Sequence, residues 1–212
     1  MVLGDSHAAM WLPALDLMGQ RIHWRIIDFN KVSCPAADVS VFLNQQGRPY
    51  TECDAWHTWA IAEVNRLDPD VFVATSETGN RVLAGGSLES GLEKTLGSVT
   101  SPGTKKVVLG DIPYLQQDGP DCLATHGSDV QSCSTPEAAS LNTAGRQAEM
   151  AAAAVAGGAY VDVVRWFCSS ACTAVIGNMV VNADQQHITR TYAAFLTGAL
   201  QAALQPELTT GS

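Results

Sequence analysis

"VLGDSHAAMWLP", residues 2–13, is a short apolar run that stops at Gly4-Asp5-Ser6-His7 and passes at once into a helical pattern. A buried strand that ends in a tight turn and feeds a helix is the opening unit of an α/β fold. The free N–H groups and positive dipole end of that helix would point at Ser6. Such a place stabilises an oxyanion. The same triplet also suits a plain helix cap, with Asp5 or Ser6 accepting from the first turn. The choice between the two depends on what the rest of the chain supplies.

Outward from this seam the chain alternates. Trp11, Leu15 and Met18 recur at helical spacing, and Pro13 fits only the first turn or a kink. "WRIIDF" (24–29) reads as a second strand, and "NKVSCPAADVSVFLNQQGRPY" (30–50) as a loop. "ECDAWHTWAIAEVNRL" (52–67) carries Trp56, Ala60, Val64 and Leu67 along one helical face, and "DVFVAT" (70–75) is a third strand. A Gly- and Ser-rich stretch (76–87), a short helix (88–98) and a fourth strand "KKVVLG" (105–110) follow. Then come a long loop (111–136), an Ala-rich helix opened by Pro136 (136–156), a fifth strand "AYVDVV" (159–164) and a last helix (188–204). Short Val- and Ile-rich strands between helices predict a three-layer α/β/α sandwich on a five-stranded, mainly parallel sheet. Sites in such sheets lie outside the carboxyl ends of the strands, where Ser6 falls.

The chain has 212 residues, 46% of them hydrophobic, which suits one domain over residues 1–205 with a polar tail over 206–212. No apolar run is long enough for a membrane span. Met1 leads straight into a strand with no basic region before it, unlike a secretory signal, and the chain reads as a piece of something longer. The net charge of -9 argues against a nucleic-acid partner. No metal or cofactor is expected. The cysteines Cys34, Cys53, Cys122, Cys133, Cys168 and Cys172 form no C-x-x-C pair, which weakens a zinc or thioredoxin-like reading. Their even count in loops favours disulfides and an oxidising compartment. Nearest-neighbour pairing gives 34–53, 122–133 and 168–172, one of the 15 pairings that six cysteines allow.

A serine nucleophile needs a base, and the base an orienting group. Of the histidines, His187 stands in "NADQQHIT", just before the last helix, with Asp184 three residues ahead. That D-x-x-H spacing lets the carboxylate reach Nδ1–H and leaves Nε2 for Ser6. Taken alone, Asp184 could equally cap the helix. His7 is expected to line the site and His57 to be structural or at the surface. Asp111 and Pro113, after the fourth strand, could reach the rim of the cleft, and the Cys-bearing loop behind them could shape a pocket.

With "GDSH" near the start and "DQQH" near the end, the sequence resembles the SGNH hydrolase superfamily. It is more similar still to the extracytoplasmic SGNH domains fused to bacterial membrane acyltransferase-3 proteins. "LGDSHAAMWLPAL", "NKVSCPAADV", "ECDAWHTWA", "GDIPYLQQDGPDCL" and "FCSSACTAVIGNMVVNADQQHITRTYA" carry that resemblance, in order and over most of the chain. It implies a Ser6–His187–Asp184 triad, disulfides, and a position outside the cytoplasmic membrane beside a membrane acyltransferase-3 domain of the same chain. The implied reaction passes an acyl group, acetyl or another short acyl, from a donor through Ser6 to a hydroxyl of a cell-surface glycan. An esterase, or a glycan-binding domain with a decayed site, are the alternatives. The family's second block supplies an oxyanion-hole Gly where this chain has Val32-Ser33-Cys34. Its third block supplies an Asn where this chain reads "SETGN". Ser33, Ser76 and Asn80 are therefore the oxyanion-hole candidates.

Overall fold

A computed structural model describes residues 1–208. Five parallel strands form the central sheet: β1 (Val2–Gly4), β2 (Asp28–Asn30), β3 (Val71–Thr75), β4 (Lys105–Leu109) and β5 (Ala159–Val161). Their order across the sheet is 2-1-3-4-5. The order reverses at β1, so the crevice beside its carboxyl end is the topological switch point.

Alternate residues of the inner strands β1, β3 and β4 enter two separate cores, as the period of two demands. On one face Val2, Val73, Val107 and Leu109 pack with Trp11, Leu15 and Met18 of helix α2 (Leu12–Ile22) and with Tyr192, Leu200 and Leu204. The last three belong to the closing pair α7 (Arg190–Phe195) and α8 (Thr197–Leu208). On the other face Leu3, Phe72, Ala74 and Val108 meet three further helices, α3 (Thr51–Leu67), α4 (Leu88–Ser98) and α6 (Thr143–Val155), through Ala60, Val64, Leu92, Leu96 and Ala152. Both faces are covered, hence the unbroken apolar strands. Among the described residues no helix is long and apolar enough to cross a membrane.

The structure differs from the sequence expectation where local interactions cut elements short. The first helix divides into a single turn α1 (Ser6–Ala9) and α2, with Pro13 in the first turn of the second piece. The second strand is confined to 28–30, because Trp24 N–H donates to the Gly19 carbonyl and Ile26 packs on Gly19. The loop after β4 contains α5 (Gly119–Thr125), capped by Asp118. The Ala-rich helix opens as a separate turn, Glu137–Ser140, before α6. Helix α8 runs past residue 205 to Leu208, and residues 209–212 of the expected tail lie outside the described residues. All six cysteines are paired, as 34–53, 122–133 and 168–172.

Candidate active site

The site begins with a close approach. A Cβ on Gly4 would stand 1.8 Å from the Thr75 carbonyl oxygen, so β1 and β3 can pair this closely only over a glycine. Asp5 then caps α1, accepting from His7 N–H at 2.9 Å. It also accepts from Glu77 N–H at 3.1 Å and from the Asn80 amide at 3.2 Å, which ties the β1 turn to the loop after β3. Burial pushes the Asp5 carboxyl up despite the opposing pull of His7 and these donors. The capping role thus falls to Asp5. Ser6, the first residue of α1, keeps its hydroxyl free for another partner.

That partner is His187, whose Nε2 lies 2.9 Å from Ser6 Oγ. Its Nδ1 lies 2.7 Å from Asp184 Oδ2. The turn that carries them is closed by Ala183 N–H on the His187 carbonyl, at 2.8 Å. Asp184 Oδ1 accepts the N–H groups of Gln186 and His187, at 2.8 and 2.7 Å, so one carboxylate orders both its own turn and the imidazole. Partial burial works against ionisation, yet the Gln186 and His187 donors hold Asp184 below the ordinary carboxylate range. Thr189, not Asp184, caps the following helix, accepting from Tyr192 N–H at 3.1 Å. The pair is partly open: His187 and Asp184 side chains are 27% and 44% exposed.

The three oxyanion-hole candidates part company. Ser33 follows β2 in the left-handed region, at φ 58°, a conformation that favours glycine. Its loop is held by Lys31 N–H on the Gly4 carbonyl, at 3.0 Å, and by the Cys34–Cys53 bridge. Asn80 spends its amide hydrogens on Asp5 and on the Glu77 carbonyl, at 3.2 and 2.8 Å. Ser76 is buried at the end of β3.

A second histidine–carboxylate pair lies behind the first, and sequence reasoning placed its members at the cleft without joining them. Asp111, at the carboxyl end of β4, receives His7 Nδ1–H at 2.6 Å and the Ile112 N–H at 2.9 Å on one oxygen. Its other oxygen receives Thr78 N–H, Thr78 Oγ1–H and the Tyr114 hydroxyl, at 2.8, 2.9 and 2.5 Å. Burial alone would lower the proton affinity of His7; the facing Asp111, with Asp5 and Glu77, reverses this and raises it. Glu149 of α6 closes the back of the network, accepting Asp111 N–H at 3.2 Å, and burial beside Asp111 drives its carboxyl well upward. His57 is buried too, with Nε2 2.7 Å from the Pro35 carbonyl in the loop that follows Ser33.

One helical turn beyond Ser6 opens a groove of about 360 Å³, lined by Met10, Leu12, Pro13, Asp16, Ile188 and Arg190.

Fold and site together define a doubly wound α/β domain with a Ser–His–Asp array at the switch point of its sheet. The chain belongs to the family of SGNH domains fused to AT3 domains, whose model matches residues 1–202. No curated protein sequence matches it significantly. Among solved structures it is similar to the periplasmic domain of the lipopolysaccharide acetyltransferase of Salmonella ser. Paratyphi A. The TM-score is 0.72 at 17% identity, over 98% of this chain and 82% of that one, a likeness of fold.

Proposed function

We propose that this domain is a serine-dependent O-acyltransferase that moves a short acyl group onto a hydroxyl of a cell-surface glycan, outside the cytoplasmic membrane. The observation that carries the reading is the unbroken line from Ser6 Oγ through His187 to Asp184, at 2.9 and 2.7 Å. Family membership supports it, since the matched domains are fused to AT3 domains. An AT3 domain of the same longer chain is the natural source of the acyl donor.

The steps follow from the geometry. Ser6 Oγ attacks the donor's acyl carbonyl while His187 Nε2 takes the hydroxyl proton. Asp184 supports the imidazolium through Nδ1–H. Collapse of the tetrahedral intermediate breaks the bond to the donor's leaving group, which departs with that proton, and leaves an acyl-Ser6 ester. A sugar hydroxyl then gives its proton to His187 and attacks the ester, and Ser6 Oγ recovers the proton. The N–H groups of Ser6 and Ser33 are the proposed oxyanion donors. The first lies in the opening turn of α1 and the second on the left-handed corner after β2. The groove by Met10 and Ile188 is the proposed seat for substrate.

Hydrolysis is the second reading. The exposure of His187 and Asp184 favours it when no acceptor is bound, because water can then take the place of the sugar hydroxyl.

The test is a small activated acetyl ester with and without a sugar acceptor, the trapped acyl-enzyme being located by mass spectrometry. The expected adduct is on Ser6, and Ser6→Ala should turn over at background while keeping its circular dichroism spectrum. Wild-type turnover in a folded Ser6→Ala protein would overturn the reading.

A further inference from the structure

We propose that His7, seated on Asp111, is a positioning residue that fixes how the His187 ring faces Ser6. The inference rests on the reading of Ser6, His187 and Asp184 as the catalytic array.

Three observations carry it. The His7 side chain is fully buried and its Nδ1–H is committed to Asp111 at 2.6 Å, so the ring cannot turn. Its centroid lies 4.9 Å from that of His187, with the planes at 69°, an edge-to-face contact on the base itself. Its Nε2 is buried with no hydrogen-bond partner among the described residues, so the bond to Asp111 is the polar anchor that sets the ring's orientation. His187 is otherwise oriented by one local carboxylate in a partly exposed turn. A rigid ring against it removes the freedom to swing off Ser6.

The charges around His7 also help to hold it on Asp111. Around His7 stand Asp5 from its own turn, Glu77 and Thr78 after β3, Asp111 and Tyr114 after β4, and His187 with Asp184 before α7. Glu149 of α6 stands behind Asp111. Burial opposes a proton on His7, and the carboxylates outweigh it and favour one, which strengthens the bond to Asp111.

His7→Asn tests this, because the Asn amide can replace Nδ1–H toward Asp111 but cannot supply the ring. On the activated acetyl ester the expected loss in kcat is roughly 10- to 100-fold with KM little changed. Thermal stability should be held. Wild-type kcat, a change in KM alone, or activity lost only in step with stability would each overturn the proposal. A wild-type protein no faster than Ser6→Ala would instead strike the catalytic reading itself. Independently of any variant, the ¹⁵N resonances of the His7 ring in the wild-type protein should show both nitrogens mainly protonated at about pH 6.5, the ordinary His value. A ring protonated at Nδ1 alone would overturn the electrostatic half of the proposal.

Discussion

Asp184–His187 and Asp111–His7 share one hydrogen bond, carboxylate to Nδ1, at 2.7 and 2.6 Å. They differ in everything around it. The first joins residues three apart in a turn and is partly open to water; the second joins residues 104 apart and is buried, at 0% and 3% side-chain exposure. The open pair can meet a substrate and exchange a proton with it. The closed pair cannot, but it gathers the turns after β1, β3 and β4 around a single carboxylate with five donors. On the proposed reading, the same chemical unit serves reaction in one setting and architecture in the other, and exposure decides which.

Matched substitutions at the two carboxylates would break this comparison if it is wrong. Asp184→Asn should lower ester turnover by roughly 10- to 10⁴-fold, because the amide cannot support the imidazolium and can present an N–H to Nδ1. Its melting temperature should stay close to wild type, since Thr189 caps the next helix. Steady-state kinetics beside a thermal melt read both, and equal turnover in the two forms would leave Ser6 and His187 as a dyad. Asp111→Asn should do the reverse in emphasis: a stability loss of about 3–5 kcal/mol by urea denaturation, the usual cost of removing one partner of a buried ion pair. An Asp111→Asn protein as stable as wild type would mean that the network is not what holds the three turns.

The contrast also separates what could be read in the sequence from what could not. Asp184 and His187 are visible as a pair because three residues bring them together in any turn. His7 and Asp111 could each be placed at the cleft, since both follow strand ends, but their pairing depends on β1 and β4 flanking β3, and periodicity does not encode strand order. The five strands and the two-faced burial were legible from apolar runs between helices. The breaks at Met10, Leu141 and Leu196 were not, because apolar spacing continues across them while the backbone turns. Helix α5 had its signals, Asp118 at the cap and Pro120 in the first turn, within a stretch whose Gly and Pro residues read as loop. Of the oxyanion candidates, Ser33 keeps a glycine-like backbone without being glycine, which no residue pattern announces.

The disulfides sharpen the comparison at an intermediate scale. Cys34–Cys53 closes 19 residues and holds the Ser33 corner, whereas Cys168–Cys172 closes four. Chain entropy gives about 3 kcal/mol for the longer loop and about 2 kcal/mol for the shorter. A Cys34→Ser/Cys53→Ser protein should therefore be less stable in urea than a Cys168→Ser/Cys172→Ser protein. It should also lose ester turnover, because the corner that carries Ser33, the proposed second oxyanion donor, is no longer tied to α3. Unchanged turnover in that variant would remove Ser33 from the oxyanion hole.

The smallest effect is expected at Glu149, and its sign is the informative part. Its carboxyl is raised well above the ordinary Glu value of 4.5 by burial and by Asp111, so the folded protein holds a proton there that the unfolded chain has released. Stability must then fall as the pH rises from about 4.5 toward the folded-state value, because over that interval the unfolded state binds fewer protons. Glu149→Gln cannot lose that proton. Its amide oxygen can still accept from Asp111 N–H, so little should change near pH 4.5. At pH 8 the variant should melt at or slightly above the wild type, by an amount on the order of 1 kcal/mol or less. Melting curves at pH 5 and pH 8 measure the difference. A Gln variant less stable than wild type at pH 8 would mean that Glu149 is ionised and held by charge. The buried network behind His7 would then carry one more negative charge than the arrangement around Asp111 suggests.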